Sequence, residues 1–115
     1  MTIVRIDPGP RMSRAVIHGD TVYLAGHVSK EPAGSVRGQT GAILRNIDAR
    51  LAEAGTDRSK LLSATIWLTD IATFDEMNAA WEAWVDPANP PARATVEARL
   101  ASPEYLVEIM VTAAR

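Results

Sequence analysis

The stretch Leu61-Leu-Ser-Ala-Thr-Ile-Trp-Leu68 leaves this chain the fewest choices. It reads as a β-strand, and alternation places Leu62, Ala64, Ile66 and Leu68 on one face and Leu61, Ser63, Thr65 and Trp67 on the other. Neither face is fully polar, so both need cover. The rest of the chain offers only two helical patterns to supply it. In the first, Ile43, Leu44, Ile47 and Leu51 share a face, Arg45, Asp48, Arg50 and Glu53 point away, and Gly55 stands where a stop belongs. The second opens on Thr73-Phe74-Asp75-Glu76, spelled as a capping box, and its apolar face is Met77, Ala80, Trp81 and Trp84. Asp86-Pro87 ends it.

The remaining segments read as strands and turns. Thr2 to Ile6 alternates and is stopped by Asp7-Pro8-Gly9-Pro10. Ala15–His18 and Thr21–Gly26, separated by Gly19-Asp20, form a hairpin with a two-residue turn. Gly26 ends or bulges the second of these and lets another group approach the backbone closely. Val28 to Gly38 is a loop. After Pro90-Pro91 breaks the chain again, Arg93, Thr95, Glu97 and Arg99 alternate with Ala92, Ala94, Val96 and Ala98. Val107 to Val111 is a last strand with a single carboxylate, Glu108. The order β-β-β-α-β-α-β-β makes residues 1–115 one α+β domain with two helices on one side of a sheet. The helix-free face, assigned Thr65, Trp67, Arg93, Thr95, Met110 and Thr112, is too apolar for open water, so a homo-oligomer is expected to bury it.

Composition removes several function classes. The 115 residues contain no cysteine, which excludes a disulfide framework and a thiolate nucleophile. The formal charge is −2, and the basic residues are scattered beside a single Phe and two Tyr, so no nucleic-acid partner is expected. No apolar run approaches the roughly 18–20 residues needed to cross a bilayer, and the N-terminus has no apolar signal core. The expectation is a soluble cytoplasmic protein with no membrane partner. His18 and His27, nine apart and without acidic companions, fit no metal-ligand spacing, and neither a metal nor a cofactor is expected.

Two charged residues stand out. Arg93 begins a strand just past a rigid turn, and its guanidinium is a planar fork suited to gripping a carboxylate. The competing reading is a structural ion pair with Glu97 or Glu108. Glu108 sits in an apolar run, where burial would raise its pKa and fit it to take a proton from water. The alternative is a carboxylate paired across a subunit interface. Asn78, early on the second helix, is suited to bonding a neighbouring backbone. The three Trp fall at helix and strand periodicities and read as packing residues.

The motifs together resemble one family. Tyr23-Leu24-Ala25-Gly26, Met77-Asn78-Ala79-Ala80-Trp81, Pro91-Ala92-Arg93-Ala94-Thr95-Val96, Leu100 and Val107-Glu108-Ile109 are similar to the RidA (YjgF/YER057c/UK114) family, over Val16 to Ala113. Thr2–Ile6, Ile47-Asp48-Ala49, Ala64–Leu68, Trp81–Val85 and Pro103-Glu104-Tyr105 resemble its YoaB-like branch. The resemblance implies a chorismate-mutase-like fold of the bacillus type, with a mixed sheet and two helices on one face, and a homotrimer with clefts between subunits. It implies hydrolysis of reactive 2-imino or enamine acids to 2-oxo acids and ammonia. It gives Arg93 the substrate carboxylate, Glu108 a water-positioning role and Asn78 a place in the cleft. Other cleft positions depart from the family pattern: Met12 stands for a tyrosine, Ala25 for a serine, His27 for its Gln neighbour and Thr95 for a cysteine.

Two functions follow from these readings. One is a deaminase, for which the protein need only hold the acid, place a water and shield a carbon that is already electrophilic. The other is a non-catalytic trimeric module that binds a small carboxylate with the same arginine, as a sensor or scavenger. Met12 and Ala25 separate them, because losing two polar side chains removes water positioning more readily than anion binding. RNA cleavage finds no basic stretch to support it.

Overall fold

A computed structural model describes residues 1–115. Six strands form one sheet in the order β1-β2-β3-β6-β4-β5, where β1 is Ile3–Pro8, β2 Ser13–His18, β3 Thr21–Leu24, β4 Leu61–Leu68, β5 Ala92–Glu97 and β6 Val107–Ala114. Only β4 and β5 run parallel, joined by the helix α2 (Phe74–Trp84); every other pair is antiparallel. Helix α1 (Val36–Glu53) packs beside α2 and reaches β6 and β3. The molecule measures 20 Å along its thinnest axis. That is room for two layers, a sheet and a pair of helices, with nothing over the second face of the sheet.

The core lies between those layers. From β6 it takes Val107, Ile109, Val111 and Ala113, and from β4 Ala64, Ile66 and Leu68; α1 and α2 answer with Ile43, Leu44, Ile47, Leu51, Met77, Trp81 and Trp84. The helical periodicities therefore pointed the right way. So did the hairpin: His18 pairs with Thr21 across Gly19-Asp20, and Gly19 has a φ of 61°, as the first position of a type II′ turn requires. Gly55 takes φ 82° just past the end of α1.

Three local expectations are corrected. In β4 the alternation slips at its first residues. A bulge between Leu61 and Ser63 turns Leu61 into the core and leaves Leu62, the extra residue, half exposed. The helix α1 begins at Val36 rather than after Gly38. Ser35 caps it by accepting from the Gly38 backbone N–H at 2.9 Å, and Gly38 lacks the Cβ that would collide with Pro32. The capping box at Thr73 does not form. A single 3-10 turn, Ile71–Thr73, leads straight into α2, and the Thr73 hydroxyl instead donates to the Asp70 carbonyl at 2.6 Å.

A larger correction concerns β5. Parallel pairing sets Arg93 beside Ala64 and Thr95 beside Ile66, and both partners are core residues. Arg93 and Thr95 therefore point to the helix side, and the helix-free face receives Ala94 and Val96 in their place. That face is otherwise as expected, with Thr65 opposite Met110, Trp67 opposite Glu108 and Tyr23 opposite Thr112. The period of two was read correctly, but periodicity alone does not say which of two alternating sets faces in. The deciding signal was the arginine's need for a partner, and α2 holds it.

Candidate functional site

Arg93 is held from three directions. Its Nη1 donates to Asn78 Oδ1 at 2.8 Å, and its guanidinium carbon lies 5.4 Å from the Trp81 ring centre and 5.7 Å from that of Phe74. All three partners come from α2, so the βαβ connection that places β5 also builds the cradle. No carboxylate pairs with Arg93. Glu97 uses its Oε1 to accept from the Ile71 backbone N–H at 3.0 Å, and Glu108 stands on the other face of the sheet. Within the chain, Arg93 therefore forms no ion pair with Glu97 or Glu108. Partial burial lowers its pKa, with Glu82 acting the other way, and the group stays a cation. A fixed guanidinium with most of its donors unused is equipped to bind an anion.

Asn78 does not bond a neighbouring backbone; it stands beside Arg93, bonds its side chain and so orients the fork. Thr95, two residues along β5, has a buried hydroxyl that finds no partner within the chain.

The second group of expected residues lies elsewhere. Met12, Ala25 and His27 line one cavity of about 340 Å³, together with Arg14, Gly26, Val28 and the α1 residues Asn46, Ala49, Arg50 and Glu53. His27 is joined to β6 by a two-way bridge with Ile109, His27 N–H to Ile109 O at 2.8 Å and Ile109 N–H to His27 O at 3.0 Å. Its Nδ1 lies 2.8 Å from the Ala25 carbonyl. Since a carbonyl only accepts, Nδ1 carries the proton, and in the neutral ring Nε2 keeps its lone pair. Burial lowers the His27 pKa, the Ala25 carbonyl opposes that, and Arg50 and Arg14 reinforce it.

Gly26 lines this cavity, and Glu108, outside it, packs against Gly26. The Glu108 carboxylate occupies the place where a Cβ on residue 26 would stand. The close approach expected at Gly26 is therefore made, and its guest is the one carboxylate of β6.

Within one chain these residues do not meet. From β3 to β5 the sheet crosses β6 and β4, three spacings of about 4.8 Å, or roughly 14 Å between backbones. Arg93, Asn78 and Thr95 lie at one edge, Met12, Ala25 and His27 lie beyond β6, and Glu108 stands on β6 itself, facing the opposite side of the sheet from Arg93. Sequence reasoning missed one buried residue, Gln39. Its Nε2 donates to the carbonyls of Pro32 and Glu104 at 3.3 and 3.1 Å, and its Oε1 accepts from the Leu106 N–H at 3.0 Å, tying the loop before α1 to the loop between β5 and β6. The signal was available, since positions 39, 43, 47 and 51 share a helix face.

Comparison with known proteins agrees with this architecture. The family model described as Endoribonuclease L-PSP matches residues 2–115. The RutC family protein YoaB of Escherichia coli is 46% identical over 114 residues, covering 99% of each chain. A RutC family protein of Haemophilus ducreyi is 45% identical over 112 residues, covering 97% of this chain and 96% of its own. Among solved structures, a YjgF family protein from Neisseria meningitidis superimposes with a TM-score of 0.96 at 43% identity, covering 100% of this chain and 96% of the other. The match runs through both clusters and both helices, so the chain belongs to the Endoribonuclease L-PSP (RidA, YjgF/YER057c/UK114) family, in its YoaB-like branch.

Proposed function

We propose that the chain is a cytoplasmic homotrimeric deaminase that hydrolyses small 2-imino or enamine acids to 2-oxo acids and ammonia. The observation that carries this reading is Arg93, a guanidinium braced by Asn78, Trp81 and Phe74 with no carboxylate of its own chain to neutralise it. Such a group favours a carboxylate ligand, bound by two parallel charge-assisted hydrogen bonds. With the acid held, the imine carbon has only to meet a water. Glu108, fixed over Gly26, is the group to orient that water and receive its proton as the new C–O bond forms and the C=N electron pair moves to nitrogen. That proton passes to the nitrogen, and the C–N bond then breaks as the hydroxyl of the intermediate gives its own proton to Glu108, leaving the 2-oxo acid and ammonia.

Arg93 and Glu108 face opposite sides of the sheet in one protomer, so the reading requires two copies. The edge strand β5 of one copy brings Arg93 to the Gly26–Glu108 corner of the next, and threefold repetition closes the ring. The half-exposed Tyr23, Met110 and Val96 on the helix-free face supply the apolar surface for that contact.

The test is direct. An amino-acid oxidase generates an imino acid, and its decay is followed with and without the protein. Wild type should accelerate the decay. Arg93→Ala should lose at least tenfold in ligand affinity, since a hydrogen bond to a charged group contributes about 1.5–3 kcal/mol. Arg93→Lys should recover little. Binding of 2-oxo acids without any acceleration would favour the carboxylate-binding module instead. An Arg93→Ala protein that melts far below wild type yet keeps full turnover while folded would defeat both.

A further inference from the structure

The cavity beside Gly26 has a chemical character of its own. Arg14 reaches it from β2 and Arg50 from α1, and each guanidinium is tethered at only one place. Asp7 accepts from Arg14 Nε at 3.1 Å, and Glu53 accepts from Arg50 Nη1 at 3.0 and 3.2 Å. The remaining N–H donors of both are uncommitted within the chain. Asp7 takes up its position with a φ of 51°, the only non-glycine residue in the left-handed region. Strain of that kind persists where the surroundings over-determine it, and it concentrates at ligand sites. The charged groups around the His27 ring are Arg14, Arg50 and Glu53, with Glu108 across Gly26. Both arginines disfavour the imidazolium. An anion seated between them would cancel that repulsion and give the protonated ring a partner.

We propose that the substrate of this protein is a 2-imino dicarboxylic acid, whose second carboxylate enters the Arg14–Arg50–His27 cavity while the first is held by Arg93 of a neighbouring copy. This rests on the two-copy reading above, because the cavity and Glu108 share Gly26 as a common wall. A substrate whose imine carbon lies at Glu108 has its side chain directed past Gly26 into the cavity. His27 Nε2 then accepts a proton as the second carboxylate binds, so the preference for a dicarboxylate strengthens as pH falls.

Imines made by oxidases from aspartate or glutamate, and from alanine for comparison, supply the test. The protein should hydrolyse the dicarboxylic imines with a kcat/KM at least tenfold above the alanine-derived one. Arg50→Gln should shrink that preference about tenfold. In parallel, proton NMR follows His27 through pH titrations of the full chain with succinate, with inorganic phosphate or with neither, and exposed His18 serves as the internal reference. Saturating succinate should raise the His27 midpoint by about one pH unit, equivalent to tenfold tighter binding to the protonated protein. Equal turnover of all imines would overturn this inference and leave the deaminase reading standing. No turnover of any imine would remove the deaminase reading and this substrate with it. A His27 midpoint unmoved by succinate up to about 10 mM, weaker than ordinary metabolite binding, would overturn the cavity's role. A response to phosphate but not succinate would do the same, by assigning the cavity to another anion.

Discussion

The two faces of the sheet are made by the same strands and have opposite fates. On β6, Val107, Ile109, Val111 and Ala113 face the helices and are at most 1% exposed. The residues between them, Glu108, Met110 and Thr112, face away, and Met110 is 40% exposed. Aliphatic side chains of fixed shape fill the first face, where every methylene counts towards folding. The second mixes Tyr23, Trp67, Thr65 and Met110 with a carboxylate, a composition suited to contact with another protein surface rather than with a helix. One face folds the chain, and the other stays uncovered by it.

The sharpest way to break that comparison is to damage each face in turn. Ile66→Ala on the helix side should cost about 2–5 kcal/mol in denaturant unfolding, a large part of the roughly 5–15 kcal/mol that a domain has. Met110→Asp on the other face should leave the secondary structure intact by circular dichroism while light scattering falls from three chains to one. If Met110→Asp stays trimeric, the helix-free face is not the interface.

Gly26→Ala sharpens the contrast between folding and function. The new Cβ meets only the end of the flexible Glu108 side chain, so the melting temperature should move little, by the equivalent of about 1 kcal/mol. Imine hydrolysis should fall at least tenfold, because Glu108 is pushed from its place. A variant with full activity would show that the carboxylate position does not matter.

The smallest expected effect belongs to His27. Its folded pKa is lowered, so the unfolded chain binds a proton that the folded chain resists. Stability is then complete above the ordinary imidazole value of about 6.5 and is lost as pH falls through it towards the lowered folded value. His27→Gln should flatten that part of the stability profile relative to wild type, and an unchanged slope would assign the loss to other groups.

Much of this fold was legible in the sequence, for reasons that are local. Ile43, Leu44, Ile47 and Leu51 recur at helical spacing, Gly19-Asp20 has few turns open to it, and Gly26 lacks a Cβ where something had to come close. Helix-free apolar residues on β4 declared that a second surface exists. Arg93 was picked out as a planar guanidinium just past a rigid turn, and Glu108 because a charge in an apolar strand is costly unless it is used. What the sequence could not decide is which way alternating residues turn and what they meet. The bulge at Leu61/Ser63 exchanged two leucines, and parallel pairing with Ala64 sent Arg93 to the helix side, because strand register is set by partners distant in the chain. The separation of Arg93 from Glu108 is likewise non-local, since β4 lies between their strands and register turns the two side chains to opposite faces of the sheet. Side-chain chemistry is written residue by residue, but distance between residues exists only once non-local pairing has chosen the neighbours.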